Sequence, residues 1–447
     1  MESENAWGIG APPRYVKRAI AEVIAGATAP VAVVEGAHGV GKTTLVQNED
    51  AFRGFHYVTL AEKEELARAE AHPAEWAAGL PQPAVIDDAH RIPGLLAAVR
   101  EVAPQQRGEH PAFVLLSPEH LPSEKMAAPK PAYFTLFPLT QAEICGRPGC
   151  IVDDLFEGTV VGKFHSLHTR SDLRTKMRIG GFPYRVLHPA RALSPGGESG
   201  LPFQNELRIM REKGVGPTTS VDELVGRLLL RKVFTSPGLS LGVDTLARAC
   251  SVDPSTLTEH LESLYRRFLI HRVSMLDKQQ SRKFAFSKTR IHPMDTALAV
   301  EALHEEGHDI TADPAVFSKV LKTLCVNQLV PAAQWASAPT DYRHWKKFDR
   351  RMREVDLVLV RDDRLVGITV RNSIAARHDT IGALRFLAED ERFVRGFIIY
   401  MGPFPRQLAE NIWALPVSAL WESAAFLTKS AEASALDGQG LQCPQGA

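Results

Sequence analysis

Cysteine is scarce. Cys145, Cys150, Cys250, Cys325 and Cys443 are the five in 447 residues, and their spacing fits neither a disulfide framework nor a zinc site. Cys145 and Cys150 are close enough to pair across Gly-Arg-Pro-Gly, but reduced thiols of a cytoplasmic protein are the expectation. No apolar run is long enough to span a bilayer, so no membrane partner is expected. The opening Met1-Glu-Ser-Glu-Asn5 is acidic where a secretory leader is basic, which again points to the cytoplasm. Charge of one sign is missing too: Lys plus Arg and Asp plus Glu each number 52, so no global field steers the chain toward nucleic acid. Its length exceeds what one core holds, and roughly two to four domains are expected.

Against these absences stands one dense motif, Val31-Ala-Val-Val-Glu-Gly-Ala-His-Gly-Val-Gly-Lys-Thr-Thr44. A β-branched strand feeds a loop that fits G-x-x-x-x-G-K-[ST], the phosphate-binding loop of nucleoside triphosphatases. Glycines at 36, 39 and 41 let successive N–H groups turn inward around phosphates, and the helix that follows adds its positive end. The nucleotide site expected here is Gly36, Ala37, His38, Gly39, Val40, Gly41, Lys42, Thr43 and Thr44. Lys42 would reach the β- and γ-phosphates of ATP, and the Thr43 hydroxyl would ligate Mg²⁺.

The partner strand is Ala84-Val-Ile-Asp-Asp-Ala-His-Arg91, an apolar run closing on two acids. Asp87 is expected to hold the Mg²⁺ through water, and Asp88 to polarise the attacking water. Ser117, ending the apolar strand Ala112–Ser117, is either a γ-phosphate sensor or a plain strand-end serine. Helices are expected over Arg14–Ile24, Leu66–Ala78 and Gly94–Val102, with a capping box at Thr140 and Glu143. His304-Glu-Glu-Gly-His308 has the outline of a zinc motif, but Gly307 is expected to end the helix that would carry it.

Residues 1–150 therefore read as an α/β P-loop core, and 151–216 as a helical lid with a linker at Ser194–Gly200. Residues 217–285 read as a winged helix-turn-helix, in which Asp253 and Pro254 open the second helix. Residues 286–428 form a further α/β domain, with a loop around Asp341–Trp345 and a hairpin over Glu354–Arg371. Residues 429–447 are expected to be a disordered tail. The second helix of the winged unit carries Glu259 and Glu262, which would face phosphates, so a packing or partner role is favoured over groove reading. A basic stretch with Arg343, Lys346, Lys347, Arg350, Arg351 and Arg353 around Trp345 and Phe348 suits either a nucleic-acid backbone or a solvated hairpin.

Taken together, these residues resemble bacterial and archaeal AAA-type ATPases that carry a C-terminal domain of unknown function with a restriction-endonuclease-like (PD-(D/E)XK-like) core. The signposts are Gly36–Thr44, Asp87–Gly94, Gly180-Gly-Phe-Pro183, the winged unit, Arg290–Leu298, Arg353–Asp356, Leu365–Val370 and Trp413–Trp421. The family usually writes Asp-Glu where this chain has Asp87-Asp88. Where related sites carry an arginine after the last sensor strand, the nearest equivalent is Lys130. The nuclease constellation implied by the resemblance is a helix glutamate, a hairpin aspartate and Glu-x-Lys. Here those positions read Lys322, Asp356 and Thr369-Val370-Arg371.

Arg371 is always protonated and cannot serve as a base, Thr369 carries no charge, and Lys322 repels a cation. Nuclease activity is therefore not expected. The reading is an ATP- and Mg²⁺-binding AAA-type ATPase with slow turnover that switches a C-terminal partner- or nucleic-acid-binding module. Two alternatives stay open, a DNA-associated ATPase of defence or mobile-element type and a scaffold that binds ATP without hydrolysing it. The oligomeric state is left open.

Overall fold

The computed structural model describes residues 15–104, 109–121, 130–147, 149–160, 164–193, 220–238, 243–276, 289–349, 351–376, 378–422 and 427–428. The expected linker at Ser194–Gly200, the tail over 429–447, Cys443 and Arg350 lie outside them.

The N-terminal half is built on a parallel sheet. Its strands are β1 (Val31–Glu35), β2 (His56–Thr59), β3 (Ala84–Asp87), β4 (Phe113–Ser117) and β5 (Ala132–Thr135), in spatial order β2-β3-β4-β1-β5. Because helices cover both faces, the central strands are buried throughout and read as continuous apolar runs. The helices are α1 (Ala21–Ala25), α2 (Lys42–Asn48), α3 (Lys63–Ala71), α4 (Pro73–Ala78), α5 (Leu95–Val102) and α6 (Gln141–Ile144). The capping box that opens α6 is present, with Thr140 accepting from the Glu143 N–H and Glu143 from the Thr140 N–H.

Two helices depart from expectation for local reasons. The helix expected over Arg14–Ile24 is confined to α1. The Arg18 and Ala19 N–H groups instead donate to the Glu49 and Glu143 carboxylates, at 2.7 and 3.1 Å. The helix expected over Leu66–Ala78 breaks into α3 and α4 because Pro73 forces His72 out of the helical region, to φ −145° and ψ 75°.

Helices α7 (Ile151–Glu157), α8 (Arg170–Ile179), α9 (Pro183–Leu187) and α10 (Pro189–Leu193) follow, then α11 (Ser220–Thr235). Next come α12 (Val243–Cys250) and α13 (Pro254–Arg266), the latter capped by Asp253, whose carboxylate accepts from the Ser255 and Thr256 N–H groups. Strand β7 (Ile270–Ser274) pairs antiparallel with β8 (Thr289–Pro293), across the boundary expected at residue 285; the two-residue β6 is Thr159–Val160. Helix α14 (Thr296–Glu305) ends before Gly307, whose φ of +78° turns the chain away and takes His308 off the face of His304.

Helix α15 (Pro314–Ala332) then leads to a six-stranded mixed sheet of β9 (Asp341–Asp349), β10 (Arg351–Arg361), β11 (Arg364–Val370), β12 (Phe393–Tyr400), β13 (Arg406–Ala409) and β14 (Ile412–Pro416). Here too one expectation is corrected. Asp341–Trp345 is strand rather than loop, paired residue by residue with β10 as Trp345↔Val355, Lys346↔Glu354, Lys347↔Arg353 and Phe348↔Met352. Helix α16 (Gly382–Leu387) covers one face of this sheet.

A single apolar core joins the two sheets. Val34, Val114 and Leu116 of the first sheet and Leu357, Ile368 and Ile399 of the second belong to one contiguous cluster. Phe317, Val320, Leu321, Leu324 and Leu329 of α15 carry it from one to the other. Polar links run alongside: the Gln328 side chain accepts from the Gln141 N–H, and the Gln334 amide bonds both N–H and C=O of Thr135 on edge strand β5. No helix among the described residues is long and apolar enough to cross a membrane.

Phe317 is fully buried in this shared core, with the Arg170 guanidinium 4.2 Å from its ring. Phe317→Ala is expected to cost about 3–5 kcal/mol. Calorimetry is expected to show one unfolding transition, shifted as a whole. Two transitions, with only one moved, would contradict a shared core.

Candidate nucleotide site and a cationic cleft

The loop between β1 and α2 owes its shape to its glycines. A Cβ on Gly36 would lie 2.4 Å from the Leu136 carbonyl oxygen, while Gly39 and Gly41 have φ of +75° and +98°. Ala37 and Val40 are buried anchors; His38 and Gly39 form the exposed crest, and Thr44 is exposed on α2. Lys42 is buried and folds back over the loop, donating to the Gly36 and Ala37 carbonyls at 2.7 and 3.1 Å. From outside, Arg18 donates to the Val40 carbonyl while paired with Glu143 at 3.2 Å, both side chains nearly inaccessible.

Thr43 and Asp87 meet at this loop. Thr43 Oγ1 donates to Asp87 Oδ2 at 2.6 Å, and the Tyr57 hydroxyl, on the neighbouring strand β2, donates to the same oxygen at 2.9 Å. Burial, together with the Asp87 carboxylate, pushes the Tyr57 hydroxyl up to about 12, so it stays a donor. A hydroxyl and a carboxylate side by side are the hard oxygen donors that Mg²⁺ prefers.

Asp88 follows at φ +59°, a left-handed backbone that aspartate tolerates better than most residues. Its carboxylate is partly exposed and lies 3.9 Å from His90 Nδ1. Ser117 is fully buried, and its hydroxyl donates to the Glu119 carbonyl while accepting from the Glu119 N–H, so it shapes a turn, the plainer of the two roles open to it.

Three further groups around the loop have no role that the sequence announces. Tyr57 is one. Glu35, the last residue of β1, is buried and accepts from the Leu121 N–H at 2.7 Å, with His120 Nδ1 at the same distance. Asp295 is the third. Its carboxylate accepts from the Ala297 N–H to cap α14, and from Gly181 in Gly180-Gly-Phe-Pro183 at 2.6 Å. Burial raises its carboxyl, and the backbone donors at Gly181 and Ala297 pull the other way. Pro183 of the same segment lies 3.6 Å from where a Gly41 Cβ would be. Only Gly180–Pro183 and the segment around Asp295 are visible in the sequence, as signposts without a role.

A second cluster lies in the C-terminal sheet. Asp356 on β10, 2% exposed, is 2.8 Å from Lys322 of α15, 3.1 Å from Arg290 of β8 and 3.7 Å from Arg371 just past β11. The Val370 N–H donates to its other oxygen, and Arg290 also holds Glu354 at 2.6 Å. Thr369 is fully buried with no hydrogen-bond partner for its hydroxyl. Lys322 and Arg371 thus converge on one carboxylate, Asp356. Arg290, in the sequence no more than a signpost, supplies the missing counter-charge.

Residues 28–145 match the model of an AAA domain, and residues 317–420 that of a domain of unknown function, DUF4143. No curated protein matches the chain. Among solved structures, it is similar to a Walker-type ATPase of Pyrococcus abyssi (13% identity, TM-score 0.34), covering 62% of this chain and 91% of that one. It is also similar to a signal-transduction ATPase with numerous domains and a tetratricopeptide repeat sensor from Pyrococcus horikoshii (13%, TM-score 0.26), covering 71% of this chain and 49% of that one. A protein from Vibrio cholerae is a third (11%, TM-score 0.20), covering 89% and 97%. Likenesses this slight assign nothing further.

Lys42→Ala is expected to remove most ATP affinity while the chain still folds, because the two carbonyls it bonds, Gly36 and Ala37, belong to the same loop. Titration calorimetry with equal affinities for mutant and wild type would dismiss the site.

At Asp356, burial alone would raise the carboxyl, but Lys322, then Arg290 and Arg371, bring it down to about 2. A carboxyl depressed in the folded state stabilises above its unfolded value near 4, and that contribution is lost as pH falls from about 4 to 2. Wild type should lose roughly 2 kcal/mol more over this range than Asp356→Asn, by urea melts at each pH. Parallel losses would refute the cluster's role.

Proposed function

We propose that this chain, which joins an AAA domain to a C-terminal domain of unknown function, is an ATP-dependent switch. The observation that carries the reading is the convergence of Lys42, Thr43 and Asp87 on one glycine-shaped loop. In this reading the loop's N–H groups and Lys42 seat the phosphates of ATP. Thr43 and Asp87 would hold Mg²⁺, which would offset phosphate charge. Asp88 orients the attacking water. Tyr57 keeps Asp87 aimed.

Two routes connect this site to the rest of the chain. One passes from Gly41 through Pro183 and Gly181 to Asp295, and so to the cap of α14. The other passes from Glu35 through His120 to α13. The His120 ring lies 4.7 and 4.2 Å from the rings of Tyr265 and Phe268, and its backbone N–H donates to the Arg266 carbonyl. We read α12, α13 and the β7–β8 pair as a winged helix-turn-helix whose second helix is engaged by the ATPase core, which favours packing over groove reading. The C-terminal sheet is read as nuclease-like without hydrolytic activity, since its carboxylate is held by cations.

Asp88 sets the expected turnover. Its carboxylate ends one methylene short of a glutamate, and a misplacement near an ångström costs about a hundredfold in rate. Wild-type hydrolysis should be slow, Asp88→Asn should abolish it with ATP binding intact, and Asp88→Glu should raise it. Single-turnover hydrolysis by the three proteins checks this. Equal rates in wild type and Asp88→Asn would remove Asp88 from the mechanism and favour a scaffold that only binds ATP.

A further inference from the structure

The cluster around Asp356 borders an open cleft of about 500 Å³ lined by Lys322, Met352, Arg353, Glu354, Arg371 and Thr380. Four cations, Arg290, Lys322, Arg353 and Arg371, face two carboxylates, Glu354 and Asp356, which leaves two positive charges in excess. The acids are not free to act on a ligand. Asp356 Oδ1 accepts from Arg290 and Lys322, and Oδ2 accepts from the Val370 N–H. Any divalent cation would have to displace Lys322, so the cleft is shaped for an anion instead. The Lys322 and Arg371 side chains are 28% and 35% exposed, enough to reach one. Arg353 adds a guanidinium stacked 4.1 Å from the Phe386 ring, and its Nε has no hydrogen-bond partner.

What lies beside the cleft narrows the kind of anion. Met352, on its wall, pairs across the β9–β10 ladder with Phe348, and the two are 54% and 74% exposed. One residue along, Arg353 pairs with Lys347, whose ammonium also lies over Phe386 at 5.2 Å. A cationic cleft continued by an exposed aromatic and a thioether is the combination that binds a single nucleic-acid strand, with phosphates on the cations and bases on the apolar side chains. A phosphorylated sugar, with no aromatic ring, would have no use for Phe348.

We propose that this cleft and the adjoining hairpin bind single-stranded nucleic acid without metal, through Arg353, Arg371 and Lys322 for phosphate and Phe348 for a base. The site is separate from the nucleotide loop and does not rest on the switch reading.

The test uses the full chain and a fluorescently labelled homopyrimidine oligonucleotide, read by anisotropy in EDTA without ATP over a series of salt concentrations. Arg353→Gln with Arg371→Gln should weaken binding at least about tenfold and flatten the log–log salt slope by about 1 to 2. Phe348→Ala should weaken it roughly tenfold with the slope unchanged. Glu354→Gln removes an opposing charge and should tighten binding, which damage to the fold would not do. Lys42→Ala should match wild type. Should the double variant fail to fold, Phe348→Ala, at an exposed position, and Glu354→Gln still decide. Unaltered affinity in these variants, loss of binding in Lys42→Ala, or duplex competing as well as the single strand would each overturn the proposal.

Discussion

The rest of the molecule depends on helix α15 having no solvent face along most of its length. It packs toward the nucleotide-binding sheet on one side and the C-terminal sheet on the other, within one apolar cluster. A helix with apolar residues on opposite faces must be covered on both. Neither sheet alone supplies that cover, so the two halves stabilise one another, and the strands that end at the phosphate loop are fixed relative to Asp356. Close-packed interiors transmit small displacements rather than absorb them.

Legibility in the sequence followed the range of the interaction. The phosphate loop, the acid strand, the Thr140–Glu143 box and the cap at Asp253 were all readable, because each is a pattern of a few adjacent residues that local backbone geometry demands. Tyr57, His120 and Asp295 were not. Each reaches a group tens to more than a hundred residues away, and nothing in its own neighbourhood announces the partner. Strand β9 was hidden for another reason. Its two faces carry charged and aromatic residues in a mixture, without the alternation of a half-buried strand. Ser117 shows the converse: a polar residue at the right place in the order of strands whose hydroxyl is taken by its own turn.

The cluster around Asp356 illustrates how a buried charge constrains what may surround it. A carboxylate at 2% exposure is tolerated only with opposite charge and hydrogen bonds about it. Lys322, Arg290 and Arg371 provide that compensation from three separate elements. Removing any one leaves the others to hold the acid, whereas removing the acid sets three cations against each other. Asp356 is thus the member the arrangement tolerates losing least.

The side-chain amide of Gln334, hydrogen-bonded to Thr135 as a neighbouring peptide would be, makes strand β5 unlike an ordinary outer strand. At that position the main chain has no donor or acceptor left to offer an incoming ribbon. Self-association by lengthening the nucleotide-binding sheet is blocked on this side. Copies of the protein that meet at this position must do so through side chains, where partner choice can be specified residue by residue.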